Sequence, residues 1–434
     1  MKKSISLIVV ICVGLFVWSL TGLEVNNSIW FWRKQLIYLS GFIAFVLMSL
    51  VMLLAIRPRW LEARFNGLDK LYRLHKWAGI WAIVFSLLHY GLKLSKPLLK
   101  LVFAAEVKTG VGAKAVAWFD GYRGIAKDLG EWTAWFLAGM LVITLWQRFP
   151  YHVWRYAHKL MAAAYLILLF HAVVLMPAHW WSMPTSWLIV MVGVIGAYCA
   201  VVSLLGKIGT AQQYTGQIQQ LRQLPSQVLE VACALPQSWQ HQPGQFAFVK
   251  FAALPEAHPF TLSNAATTAG VARFSIKVLG DYSARLSALL KVGQKVQVEG
   301  PYGCFTPRLG DEQPQLWVAG GIGITPFVAW LEALQAQPET APQATLYYCV
   351  ACREQAPYLE HLEHLASQLP SIQLRVHTSN TQGRLTADTI LQGSALDTPI
   401  WFCGPEPFAR SIQQEMQRQG RSLDCLHLEY FKMR

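Results

Sequence analysis

Along the first half of the chain, apolar residues run almost unbroken in six places; along the second half they alternate with polar ones. The runs lie at about 4–22, 36–56, 74–94, 130–147, 154–176 and 185–206. Each approaches the twenty or so residues that cross a bilayer core as a helix. From residue 207 the texture changes. Residues 213–305 read as short alternating strands with Gly and Pro turns, which predicts a small barrel. Residues 314–434 interleave apolar strands ("QLWVAGG", "ATLYYCVA", "IQLRVHT", "PIWFCG") with helical stretches. That is the pattern of a parallel sheet covered on both faces. The expected architecture is an α-helical six-span membrane bundle over 1–206, a β-barrel domain over 207–310 and a doubly wound α/β domain over 311–434.

Composition supports the membrane reading. Hydrophobic residues are 54% of the chain and charged residues 14%, with a formal charge of +13. The basic residues mostly adjoin apolar runs, where they meet lipid headgroups, so no nucleic-acid partner is expected. Lys2, Lys3, Arg57, Arg59, Arg64, Lys70, Arg73, Arg148, Arg155 and Lys207 fall on one side of a six-span bundle. The loop 95–129 opposite carries Lys96, Lys100, Lys108, Lys114, Arg123 and Lys127, so charge alone orients the bundle weakly. Six crossings put both ends on one side, and a nucleotide-using soluble half makes that side the cytoplasm. The first run is long for a signal peptide and no small-residue cleavage site follows it. A multi-pass protein of the inner (cell) membrane is expected. Eight cysteines lie scattered without a framework. "CVAC" at 349–352 has no second pair and reads as a strand end rather than a metal site.

Four histidines stand inside the predicted spans: His75 and His89 in the third, His158 and His171 in the fifth. Ionisable residues at such depth are rare and mostly functional. Both spans run the same way, and each pair is separated by roughly 20 Å along its helix. His75 and His158 therefore share the cytoplasmic level, and His89 and His171 the far level. Two levels, each with one imidazole from each helix, suit two haems with bis-histidine ligation, an arrangement that favours electron transfer over gas binding. Fourteen residues return to within about 40° of the starting face, but thirteen miss by roughly 140°. The fifth helix therefore needs over-wound turns or ligands reaching round it. Arg73, Lys76, Arg155 and Lys159 flank the inner pair, as haem-propionate partners or as plain anchors. His152 and His179 lie outside the spans and receive no role.

The soluble half carries cofactor chemistry. In "HPFTLSNA" (258–265), Phe260 offers an aromatic face, Thr261 a donor and His258 a positive neighbour, as a flavin nucleotide requires; Pro259 lies between them. "SIKVLGDYSARL" (275–286) adds Lys277, Ser283 and a helix start suited to a pyrophosphate. "EGPYGCF" (299–305) adds Gly300 and Gly303, where backbone must approach closely. "LWVAGGIGITPFVAWLEAL" (316–334) is a strand, a glycine-rich turn and a helix, with Gly320, Gly321, Gly323, Thr325 and Pro326 at the turn. "FCGPEPF" (402–408) ends a later strand at the same edge with Cys403, Gly404 and Pro405. Arg353, Ser379 and Arg384 could hold an adenosine 2′-phosphate, which favours NADPH over NADH.

These motifs, in this order, resemble the ferric reductase and NADPH oxidase superfamily, a ferric-reductase-like membrane domain fused to a ferredoxin-reductase-type dehydrogenase. The resemblance implies b-type haems on His75–His158 and His89–His171. It implies FAD on His258, Phe260 and Thr261, with Lys277 and Ser283 near the pyrophosphate. It implies nicotinamide nucleotide at Gly320, Gly321, Gly323, Thr325, Cys403, Gly404 and Pro405. Phe431, in the C-terminal "LEYFKMR", would stack on the flavin ring until nicotinamide displaces it, so Phe431 and Cys403 are the residues expected at the reacting rings. Related dehydrogenases often have Arg and Tyr where His258 and Phe260 stand, and this chain continues three residues beyond Phe431. The implied activity takes electrons from cytoplasmic NAD(P)H through FAD and two haems to a far-side acceptor, a ferric chelate or O₂. No obligate protein partner is implied. The alternative is a membrane haem and flavin redox sensor, or docking protein, without steady turnover.

Overall fold

A computed structural model describes residues 2–21, 23–24, 27–65, 67–103, 117–146, 148–266, 269–307 and 313–429. It divides into two compact units: Met1–Leu61 with Lys70–Ile208, and Glu62–Asp69 with Gly209–Arg434.

The first unit is helical. Its helices are α1 (Lys2–Ser19), α2 (Ile29–Ala55), the short α3 (Arg59–Phe65), α4 (Leu68–Leu94), α5 (Lys96–Val102), α6 (Arg123–Leu145), α7 (Tyr151–Lys159), α8 (Met161–Leu175) and α9 (Pro184–Leu204). Part of α3 and the first residues of α4 cluster with the second unit. Among the described residues, four helices are long and apolar enough to cross a bilayer: Ile29–Ala55, Leu68–Leu94, Val153–Leu175 and Pro184–Leu204. The six expected spans therefore reduce to four on that criterion. The two that fall short have physical reasons. The apolar part of α1 is only Ser4–Ser19. The first turns of α6 carry Arg123, Lys127, Asp128 and Glu131. Packing of α2 on α9 and α8 is close: Tyr165 stacks on Phe45 with ring centroids 5.8 Å apart, and its hydroxyl meets Ser49 Oγ at 2.8 Å. A side chain at Gly196 would overlap that hydroxyl.

The fifth predicted span is not one continuous rod. The α-helical ladder breaks at Leu160, whose N–H reaches Ala157 O at 3.1 Å, one residue short of the α-helical partner. Residues wound at three per turn advance about 20° further each than at 3.6 per turn. The tightened turn therefore recovers part of the angular mismatch between His158 and His171.

The second unit holds two sheets. Strands β1 (Gln213–Leu224), β2 (Val228–Ala234), β3 (Phe246–Phe251), β4 (Leu254–Thr261), β5 (Val271–Lys277) and β6 (Lys295–Tyr302) form an antiparallel sheet, ordered β4-β3-β6-β1-β2-β5. Its buried face centres on Trp239, Phe251, Phe274 and Val298. The expected barrel is not closed by a ladder. Among the described residues, its edges β4 and β5 are joined through the single Leu262–Phe274 bridge. Pro259 lies in β4, an edge strand, where proline's missing N–H is tolerated. Helix α10 (Asp281–Leu289) follows β5.

The second sheet is parallel throughout, ordered β11-β10-β7-β8-β9. Its strands are β7 (Gln315–Gly320), β8 (Ala344–Val350), β9 (Ile372–Thr378), β10 (Ile400–Cys403) and β11 (Leu426–Glu429). Helices α11 (Thr325–Ala336), α12 (Leu359–Ser367), α13 (Ser379–Gln382), α14 (Ala387–Leu391) and α15 (Glu406–Arg418) connect them. Along β7 the pleat sends Trp317 and Ala319 into one core with α11 and α12, and Leu316 and Val318 into another with α14 and α15. The sheet is therefore doubly wound, as the strand-helix alternation predicts.

A buried polar network ties the two sheets. Arg273 on β5 donates to Glu332 on α11 at 2.5 Å and lies 3.6 Å from Glu230 on β2. Glu332 also accepts from Ala265 N–H and sits 2.9 Å from His361 Nε2. Tyr358 donates to Glu230 and meets Ser275 Oγ at 2.6 Å. Burial alone would raise the Glu332 carboxyl; His361 and Arg273 hold it below the ordinary range. Removing one member leaves uncompensated charge in a poorly solvated place. Arg273→Ala should destabilise the full chain by about 3 kcal/mol, read as a lowered thermal midpoint. Adding Glu332→Gln should return part of that loss.

Candidate functional site

In the first unit, the four histidines form two pairs. His75 on α4 faces His158 on α7, and His89 on α4 faces His171 on α8; in each pair the ring centroids are 6.2 Å apart. Two metal–nitrogen bonds of about 2 Å, plus the distance from each nitrogen to its ring centre, span roughly 6 Å. Both pairs are thus spaced to hold one metal ion between them.

The ring nitrogens fix the tautomer. His75 Nδ1 lies 3.2 Å from Val51 O, His89 Nδ1 2.8 Å from Ile37 O and His171 Nδ1 2.7 Å from Ala126 O. A carbonyl oxygen only accepts, so each Nδ1 carries the proton and each Nε2 keeps its lone pair for a metal. His158 instead lays its face on Trp154, with centroids 4.8 Å apart and planes 19° from parallel. Among the described residues, no group of three or more His, Cys, Asp or Glu forms a metal cage. Two facing imidazoles without a further protein ligand are the donor set that a haem iron would accept, and His75 with His158 and His89 with His171 would hold it.

The flavin motif lies along the edge strand β4. His258 pairs in register with Val249, Pro259 with Phe248, Phe260 with Ala247 and Thr261 with Phe246. The His258 ring lies 3.7 Å from that of Tyr282, on α10, and 3.5 Å from the Glu256 carboxylate. Thr261 is buried, and its hydroxyl has no hydrogen-bond partner among the described residues. An orphaned donor and acceptor beside an aromatic edge suits a heteroaromatic ring such as the flavin's. Ser283 is engaged locally: its Oγ accepts from Leu279 and Gly280 N–H and donates to Gly280 O. Lys277 ends β5 and brings Nζ to 4.0 Å from where a side chain on Gly321 would begin. The sheet residue and the glycine turn therefore meet. Gly300 and Gly303 both have positive φ, and Gly303 donates its N–H to Glu62 Oε1 at 2.7 Å. Glu62 is buried and belongs to the segment that clusters with this unit. Nothing in its sequence neighbourhood marks it for that role.

At the carboxyl edge of the parallel sheet, the turns after β7 and β10 meet at the point where strand order reverses. The glycines serve this meeting. A side chain on Gly323 would overlap Cys403 O; on Gly320 it would press on Pro405 and Gly404; on Gly404 it would lie 3.1 Å from Gly320 backbone. The close approach expected between backbone and ligand is thus also an approach of one turn to the other. Gly321, at φ +56°, carries the chain into a short 3₁₀ turn ahead of α11. Thr325 is buried with its hydroxyl donating to Ile322 O at 2.6 Å, and Pro326 stands in the first turn of α11. Asn380 N–H bonds Ala351 O at 3.0 Å, tying the loop of Arg353 to that of Ser379 and Arg384. Arg353 pairs with Glu363 and is half exposed.

Cys403 is fully buried, and burial, aided by the Glu429 carboxylate, pushes its thiol well up. Glu429 stands opposite Cys403 in the β10–β11 register. Both its carboxylate oxygens are sealed from water, with no hydrogen-bond partner among the described residues. Burial raises it from the ordinary 4.5 to about 8. Glu429 is the glutamate of the C-terminal "LEYFKMR", whose resemblance to the family's glutamate-aromatic ending carried no separate role for the carboxylate. Phe431 lies outside the described residues.

Family models match three stretches: a ferric reductase like transmembrane component over residues 40–169, an FAD-binding domain over 213–306 and an oxidoreductase NAD-binding domain over 317–414. The chain is 30% identical over 142 residues to a Pseudomonas vanillate O-demethylase oxidoreductase, covering 33% of this chain and 43% of that one. It is 26% identical over 210 residues to respiratory burst oxidase homolog protein E of Arabidopsis thaliana, covering 42% of this chain and 22% of that one. Among solved structures, a Malassezia yamatoensis flavohemoglobin with bound FAD and heme aligns at TM-score 0.49 and 18% identity, over 79% of this chain and 91% of that one. The chain spans less than two thirds of the length of the curated relatives it matches.

The Glu429 carboxyl gives a signed prediction. Below pH 4.5 it is protonated whether the chain is folded or not, so it adds no pH dependence. Between about 4.5 and 8 the unfolded chain releases a proton that the folded chain keeps. Stability should therefore fall as pH rises through that window, by up to about 1.4 kcal/mol per pH unit. Glu429→Gln should remove this part of the slope, seen as a flatter plot of thermal midpoint against pH.

Proposed function

The chain belongs to the ferric reductase and NADPH oxidase superfamily, and on that premise we propose that it is a transmembrane electron carrier. Electrons enter from cytoplasmic NAD(P)H and leave to an acceptor beyond the membrane, a ferric chelate or O₂. The observation that carries this reading is the pair of imidazole sets, each 6.2 Å from ring centre to ring centre, with three rings already oriented by backbone carbonyls. Bound FAD would split the two-electron hydride into single electrons, and two b-type haems would relay them across the bilayer.

The residues have separate tasks. His75 and His158 hold the inner haem, and His89 and His171 the outer one. The paired turns with Gly320, Gly321, Gly323, Thr325, Pro326, Gly404 and Pro405 cradle the nicotinamide nucleotide. Cys403 and Phe431 stand at the reacting rings. His258, Pro259, Phe260 and Thr261 edge the flavin, with Lys277, Ser283, Gly300 and Gly303 toward its phosphates. Arg353, Ser379 and Arg384 meet the 2′-phosphate and make NADPH the preferred donor. The helical part, 1–206, makes six crossings of the inner membrane. Residues 207–310 and 311–434 form a cytoplasmic FAD-binding β-barrel domain and an NAD(P)-binding α/β domain. No acid–base catalyst is required; the protein positions groups and keeps lipid and water out of the path.

Turnover with NADPH, with and without superoxide dismutase, separates the acceptors. Loss of all signal from a superoxide-trapping dye on adding dismutase identifies O₂; reduction of a ferric chelate that dismutase leaves unchanged identifies iron. Absence of NAD(P)H consumption by haem-loaded protein would instead favour a redox sensor. His158→Ala should halve the haem content and stop transfer. Alanine at both Arg353 and Arg384 should narrow the preference for NADPH over NADH, measured as the ratio of kcat/KM for the two.

A further inference from the structure

Two glycines, one on α2 and one on α6, stand against the outer histidines. A side chain on Gly41 would come within 2.8 Å of His89 Nδ1 and 3.0 Å of Cε1; one on Gly130 would overlap His171 Nδ1 and Cε1 outright. Each glycine lies four residues after the carbonyl that its histidine uses. Ile37 precedes Gly41, and Ala126 precedes Gly130. In an α-helix the carbonyl of residue i is covered by the N–H, and partly by the side chain, of residue i+4. Glycine at i+4 uncovers the oxygen's second lone pair, and the imidazole takes it.

The inner level supplies a comparison within the same helix. His75 uses Val51 O, and the residue four on is Ala55. There the distance is 3.2 Å, against 2.8 and 2.7 Å at the two glycine seats. Among the described residues His158 has no carbonyl seat, and it rests on Trp154. Glycines elsewhere on these helices do not share the feature: Gly139 on α6 and Gly91 on α4 have nothing within 4 Å.

We propose that Gly41 and Gly130 are positioning residues for the outer redox level, each opening a helix carbonyl to the Nδ1–H of an outer histidine and so fixing that ring's rotation and basicity. This rests on the assignment of His89 and His171 as axial ligands. The hydrogen bond makes the imidazole a stronger donor, which favours oxidised iron, so loosening it raises the reduction potential. It also selects the tautomer with Nε2 free. The crowding sets an order: Gly130→Ala perturbs more than Gly41→Ala, and Gly139→Ala not at all.

The test is potentiometric titration of the full-length, haem-loaded protein in detergent, followed by absorption, with haem content and low-temperature electron paramagnetic resonance on the same samples. Wild-type protein should show two haems. In Gly130→Ala one midpoint rises and its low-spin signal moves, or that haem is lost with affinity lowered about tenfold or more, while the other is unchanged. Gly41→Ala should move the same component by less and retain both haems. If Gly130→Ala does not accumulate, Gly41→Ala against Gly139→Ala decides. Potentials and resonance signals in both seat variants that superimpose on wild type would overturn the proposal. So would an equal shift in Gly139→Ala. A wild-type protein that binds no haem would instead overturn the ligand assignment itself.

Discussion

An imidazole placed among apolar helices must give its N–H to something, and in this protein the acceptor is a helix carbonyl. That constraint organises the first unit. Three of the four histidines use an oxygen already engaged in the helical ladder of α2 or α6. A carbonyl has two lone pairs, so the second bond forms without breaking the first. An unpaired polar group in such surroundings would cost several kcal/mol, on the order of the stability of a small domain. The histidine depths, the pairing of α4 with α7 and α8, and the close approach of α2 and α6 all answer to the same requirement.

The second unit meets a different constraint. A parallel sheet leaves a crevice where its strand order reverses, and the turns bordering it must nearly touch to form a shallow cradle rather than a gap. Gly320, Gly323 and Gly404 make that contact backbone to backbone. The network of Arg273, Glu230, Glu332, Tyr358 and His361 then holds the antiparallel sheet to the parallel one. Such a buried network is weak evidence of stability but fixes one arrangement, since few other placements satisfy every member. A reaction that passes electrons between two rings needs that kind of fixed placement more than it needs a catalytic acid or base.

Much of this was legible in the sequence, for reasons that differ by element. The pairing of His75 with His158 and of His89 with His171 follows from counting along a helix, so it was readable in the sequence. The doubly wound sheet was readable because its strands are short, apolar and separated by helical stretches. The Leu160 break was not readable, because no proline or glycine marks it. Closure of the barrel was not readable, because alternation reports strands without saying whether their edges meet. Among the described residues, two of the six expected spans fall short in length or apolarity, since the apolar part of α1 is short and Glu131 and the charges before it dilute the start of α6. Gly41, Gly130 and Glu62 were missed because each acts through a residue far away in sequence.

The glycine seats show why ligand geometry can be stiffer than the side chains around it. A histidine oriented by another side chain inherits that partner's rotamer freedom, often a kcal/mol or more of entropy. One oriented by a helix carbonyl inherits the stiffness of the helix, whose oxygen moves only if the ladder moves. The outer level has two such seats, while at the inner level His158 relies on Trp154 stacking. The two levels therefore differ in rigidity although their ring spacings are equal. Were an iron held between them, a stiff ligand pair would lower the reorganisation needed on its change of charge. On the proposed function, the level that would face the outside acceptor is the one whose ring geometry is referred to backbone on both sides.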